Sequence, residues 1–151
     1  LHGYIRGLFH SEANRPPNKM TLRFHTVCTW VCALCLALAL IWMWVPELLL
    51  QSWNVGYTEA TGLVARRSAA LFLGIALMLA RLRSAPPSVA RTAVADGFAV
   101  TGGVLAVLGV GELWAGHAGP GILSAVLVEL ITAWALASSV RHKPAPRSEE
   151  P

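Results

Sequence analysis

Residues 26–45 read TVCTWVCALCLALALIWMWV, twenty consecutive positions without a charge. At ~1.5 Å of rise per residue a helix of this length spans the ~30 Å hydrocarbon layer of a bilayer, and the run lacks the polar face that a helix on a soluble domain needs. The composition points the same way, since 55% of the 151 residues are hydrophobic and only 13% are charged. An integral membrane protein is expected, not a water-soluble globule. A cleaved signal peptide is the rival for the first run, because Arg23 supplies a charged start and Ala37-Leu38-Ala39 resembles a cleavage site. The apolar stretch continues through Ile41, Trp42, Met43 and Trp44, longer than an ordinary signal core, so an uncleaved anchor is expected.

Three further spans follow, at about 62–82, 89–114 and 120–140, so the expected fold is an all-α, four-helix transmembrane bundle over residues 25–140. The Pro86-Pro87 pair and the glycine-rich stretch 116–121 punctuate the connections. Residues 1–24 are polar and aperiodic and read as a disordered cytoplasmic tail, with Met20 an alternative native start; residues 141–151 read as a cytoplasmic C-terminal tail.

The net charge of +4 does not indicate nucleic acid, because the basic residues are not gathered on one face or tail. They segregate between connections instead. Ten of the twelve Lys and Arg residues lie before the first span, between the second and third, or after the fourth. The positive-inside rule therefore puts both termini and the central loop in the cytoplasm. The expected location is the inner (plasma) membrane of a bacterium, as a multi-pass protein. Trp42, Trp44, Trp53, Tyr57 and Trp114 form the outer aromatic belt on this topology, and Trp30 and Trp134 the inner one. Arg66 and Arg67 are the two basic residues on the wrong side.

A charge at membrane depth costs roughly 2.5–3.5 kcal/mol at a helix centre, so each one marks a candidate site. Glu129 lies near the middle of the fourth span, in a small-residue stripe with Ala125, Ala133 and Ala137, and is expected to point into the bundle. Arg66, Ala70 and Gly74 repeat that stripe on the second span. Arg66 or Arg67 could meet Glu129, with Glu112 and Glu59 as competing acidic partners, or the arginines could snorkel to headgroups while Glu129 bonds Thr132 or a neighbouring helix. Asp96 is expected to pair with Arg81, Arg83 or Arg91. Gly102, Gly103, Gly109 and Gly111 make the third helix the most closely packable, which favours a central position for it.

Cys28, Cys32 and Cys35 share one face of the first helix, and Cys32 and Cys35 are formally a C-x-x-C pair. Thiols in apolar surroundings are inert, so small apolar packing residues are expected, with Cys32 and Cys35 as a redox alternative. No catalytic arrangement, cofactor motif or metal-ligand spacing is apparent.

The order of features over residues 40–142 resembles a group of uncharacterised bacterial four-helix membrane proteins classed as a domain of unknown function. The matching features are Val45-Pro46-Glu47-Leu48-Leu49, the stretch from Arg66-Arg67-Ser68 to Leu77-Met78-Leu79, and Leu127-Val128-Glu129-Leu130. That resemblance implies four helices and no established activity, and it singles out Arg67 and Glu129. The expected function is a non-enzymatic accessory or small-ligand-binding membrane subunit. Its partners would be the lipid bilayer and a second copy or another membrane protein. The alternatives are a small transporter or proton-coupled carrier using Arg66, Arg67 and Glu129, and a thiol or quinone oxidoreductase using Cys32 and Cys35.

Overall fold

The computed structural model describes residues 19–140, with side chains described from Arg23 onward; the expected tails at 1–18 and 141–151 lie outside these residues. Five helices follow in order: α1 Lys19–Trp44, α2 Pro46–Ser52, α3 Glu59–Leu82, α4 Val89–Trp114 and α5 Ile122–Val140. No strand occurs among the described residues. The four long helices are each long and apolar enough to cross a membrane.

The spans lie close to their expected positions, and the differences have local causes. Helix α1 begins at Lys19, which corrects the expected tail through residue 24. Lys, Met, Leu and Arg are strong helix formers, and the helix has to reach Phe24, which is fully buried. Helix α3 begins at Glu59, three residues before the expected start, because Thr58 and Thr61 form a capping box. The Thr61 amide donates to Thr58 Oγ1 at 3.2 Å and the Thr58 amide to Thr61 Oγ1 at 2.8 Å. Helix α5 begins at Ile122, after the turn through Pro120 and Gly121.

The short helix α2 was not expected. Pro46 starts it, where a missing N–H costs nothing, and Asn54 at φ 58° closes it. The Val55 amide reaches back to the Leu50 carbonyl and the Asn54 amide to the Gln51 carbonyl, which is a Schellman motif. Gly116 at φ 75° ends α4 in the same way, with the His117 amide on the Glu112 carbonyl and the Gly116 amide on the Leu113 carbonyl.

Packing follows a spacing of alternating three- and four-residue steps. On α1 the inward positions are Phe24, Cys28, Val31 and Cys35; on α3 they are Gly62, Ala65, Ala69, Phe72, Ala76 and Leu79. This spacing keeps one seam facing a neighbour in the shallow crossing geometry of long antiparallel helices. The contacts define two antiparallel hairpins, α1 with α3 and α4 with α5, joined mainly by α1 against α5. Helix α4 is therefore not central as expected: α1 and α5 are the inner pair. Only Gly102 and Gly109 of the four expected α4 glycines are buried.

Two regions tie the hairpins together. At the end where α1 starts and α5 finishes (the tail end), Phe24, Cys28, Val31, Cys35, Ala76, Leu79 and Leu136 form one buried cluster, flanked by Phe98 and Val140. At the opposite (hairpin) end, the Gly119 amide donates to the Trp53 carbonyl and Trp42 packs on Trp53, with ring centroids 5.5 Å apart. A Cβ at Gly121 would overlap the backbone carbonyl of Ser52, whereas one at Gly74 would meet nothing within 4 Å. Gly121→Ala is therefore expected to destabilise the protein by about 1–3 kcal/mol, because a backbone has to move. Gly74→Ala should leave stability unchanged or raise it by about 0.5–1 kcal/mol, as for Gly to Ala in a helix interior. Thermal unfolding of the two variants in the same detergent checks the order.

Candidate functional site

Among the described residues Glu129 is the acidic side chain with a buried carboxylate oxygen that has no partner. It falls in the inward series Val126, Glu129, Ala133 and Leu136 of α5, and its stripe partners Ala133 and Ala137 are buried, as the sequence pattern predicts. The opposing surface is α4, where small residues let the backbones approach. A Cβ at Gly102 would lie 3.0 Å from both the Glu129 carbonyl oxygen and the Ala133 Cβ, and one at Gly109 would lie 2.7 Å from a Val126 methyl. Within this contact Glu129 Oε2 is buried and has no hydrogen-bond partner. Thr132 does not serve it: its Oγ1 donates to the backbone carbonyls of Val128 at 2.7 Å and Glu129 at 3.1 Å.

Arg66 and Arg67 do not meet Glu129. Both are exposed, and their helix packs on α1, which stands between α3 and α5. Two small-residue stripes compete on α3, and the inward one is Gly62, Ala65, Ala69 and Ala76, whereas Arg66, Ala70 and Gly74 face outward. Burying the second stripe would take an arginine with it, and a buried charge without a partner is costly. An open crevice of about 320 Å3 between α1, α2 and α3 is lined by Trp42, Leu50, Val64, Ala65 and Ser68 and by neither arginine.

The remaining candidates are also separated. Glu112 bonds His117, Nδ1 to Oε2 at 2.8 Å, and not an arginine. The Schellman turn explains this, because it brings the last-turn residue and the residue just past the cap together. Asp96 is exposed, and no ion pair joins it to Arg81, Arg83 or Arg91. Of its three expected partners, Arg91 is buried, with its guanidinium carbon 3.4 Å from the centre of the Phe24 ring. Sequence reasoning counted Arg91 as a loop charge and did not single it out as a site. Its placement near the start of α4, four residues before the buried Ala95, was the available signal.

Cys28 and Cys35 are buried and Cys32 is half-buried, all three as free thiols on the seam between α1 and α3. Cys32 Sγ donates to the Ala76 carbonyl at 3.2 Å. Among the described residues no three His, Cys, Asp or Glu side chains are gathered in a way that could hold a metal ion. No family model, curated protein or solved structure matches this chain.

The separation of Arg67 from Glu129 has a measurable consequence. Glu129→Gln and Arg67→Gln should change stability independently, with the double variant equal to the sum of the singles within about 0.5 kcal/mol. A larger interaction energy in the double-mutant cycle would mean that the two side chains meet.

Proposed function

We propose that this protein is a non-enzymatic subunit of a bacterial inner membrane that crosses it four times, keeps both termini in the cytoplasm, and works by associating side by side with a second copy. The observation that carries this is the pair of unused small-residue faces flanked by unpaired charge. Ala70 and Gly74 follow Arg66 on the outer face of α3, and Ala93, Gly97 and Thr101 follow one another at four-residue steps beside Asp96 on the outer face of α4. Nothing approaches Gly74 or Gly97 within 4 Å of a Cβ position.

In lipid, small residues at four-residue steps allow close helix contact, and polar side chains left at depth are expensive. Seven residues separate Asp96 from the start of α4, which places it about 10 Å along the helix. A carboxylate on so short a side chain cannot reach the headgroup layer as an arginine can. Arg81 is exposed in the last turn of α3, and its side chain leans toward the helix N-terminus, toward the level of Asp96. Docking α3 of one copy on α4 of the next would supply the partner that Asp96 lacks within the chain.

A carrier role keeps one supporting observation, the unpartnered Oε2 of Glu129. It predicts that Glu129→Gln abolishes a flux while the protein stays folded.

Association is tested by sedimentation and cross-linking of the full chain in detergent and in bilayers. Gly97→Leu and Gly74→Leu should each weaken self-association by about tenfold or more, the loss of one close helix contact of 1–2 kcal/mol, while the unfolding midpoint holds. A wild-type chain that stays monomeric at all protein-to-lipid ratios overturns the proposal.

A further inference from the structure

Arg91 carries an inference of a different kind. It is 4% exposed, its guanidinium carbon lies 3.4 Å from the centre of the Phe24 ring, and its Nη1 is buried without any hydrogen-bond acceptor. Stacking on a ring occupies one face of the guanidinium and leaves the in-plane N–H donors unspent. A buried charged donor left without an acceptor is a large unmet cost.

Among the described residues the surroundings offer no carboxylate. Arg23, Arg81 and Arg83 are exposed at the same end of the helices, and the one described acidic residue near that end, Asp96, is turned to the outside. Arg91 is also the third residue of α4. Ser88 Oγ accepts from the Arg91 amide at 3.3 Å and the Ser88 carbonyl from the Thr92 amide. The amides of Val89 and Ala90 have no acceptor among the described residues. Free first-turn amides and the positive end of the helix dipole favour an anion. A helical side chain leans toward the N-terminus of its helix, so the Arg91 stem starts within one turn of those amides, while its guanidinium is held against Phe24.

We propose that the start of α4, with Arg91 at its centre, binds a phosphate oxyanion at the tail end of the molecule. The guanidinium swings off Phe24 along its stem and donates two parallel hydrogen bonds to the phosphate, and the Val89 and Ala90 amides hold a third oxygen. Arg23, Arg81 and Arg83 supply the long-range attraction. The same chemistry is presented by the headgroup of an anionic phospholipid and by a soluble phosphate compound.

The test uses the full chain in maltoside micelles, with bound molecules counted by native mass spectrometry and unfolding followed by temperature. The probes are dioleoylphosphatidylglycerol, dioleoylglycerol, which has the same tails and no phosphate, and inorganic phosphate. Wild-type protein should retain phosphatidylglycerol and not dioleoylglycerol, with a higher unfolding midpoint. Arg91→Met should weaken retention about tenfold or more, the loss of a hydrogen-bonded charge, whereas Arg67→Met, exposed toward the opposite end of α3, should hold it within about threefold. A response to inorganic phosphate equal to that for the lipid assigns the site to a soluble phosphate compound. No response to it assigns the site to the lipid.

Arg91→Met removes an unpaired buried charge and keeps an apolar stem, so it is expected to fold in micelles free of phosphate. If it does not, the three probes on wild-type protein and on Arg91→Lys still decide. Equal retention of phosphatidylglycerol and dioleoylglycerol by wild-type protein, with no effect of phosphate, overturns the proposal. So does an Arg91→Met chain that binds the lipid as wild-type protein does.

Discussion

The arrangement rests on how closely two helix backbones can approach. Lipid tails are as apolar as leucine, so moving a large side chain from lipid into a helix contact gains little, and the gain comes from tight packing between small residues. The α4–α5 hairpin follows this rule: Ala95, Gly102, Ala106 and Gly109 face Val126, Ala133 and Ala137, with no room for another carbon at Gly102 or Gly109. The α1–α3 hairpin uses Cys28, Cys35, Ala65, Ala69 and Ala76 in the same way. Cys28 and Cys35 fill that seam as groups of small volume.

Large apolar residues have a different distribution. Trp30, Leu71, Val107, Trp114 and Trp134 are exposed, whereas the buried set is dominated by Ala, Gly and Cys. A soluble protein would have the opposite pattern. Among the exceptions, the fully buried Phe24, Leu79 and Leu136 sit together at the tail end, in the cluster that α1, α3 and α5 share.

Much of the helix framework was legible in the sequence. The ends at Leu82, Val89, Trp114 and Val140 follow from punctuation on either side: Arg83, the Pro86-Pro87 pair, Ser88 as a cap, Gly116, and the return of charge at Arg141. The starts at Lys19 and Glu59 were harder to see, because a polar first turn resembles the loop before it. Which face of a helix turns inward was legible for α5, where one small-residue stripe exists, but not for α3, where two do. The choice there depends on the cost of burying Arg66, which periodicity does not register. Arg91 was hidden for a related reason: counting basic residues by segment treats each as a surface charge, and only the position of Phe24 on another helix shows that this one is covered.

The two hairpins are also consecutive along the chain. Helix α3 follows α1 through residues 45–58, and α5 follows α4 through residues 115–121, so most of the tight contacts form between near neighbours in sequence. Low contact order of this sort lets each half close without waiting for the other. The first hairpin can be complete while the second is still being synthesised. The stretch 83–88, with its two prolines, carries few of those contacts. A chain divided there would consist of two helical hairpins, each holding its own seam, that recognise each other through the α1 and α5 surfaces and the Trp53–Gly119 bond.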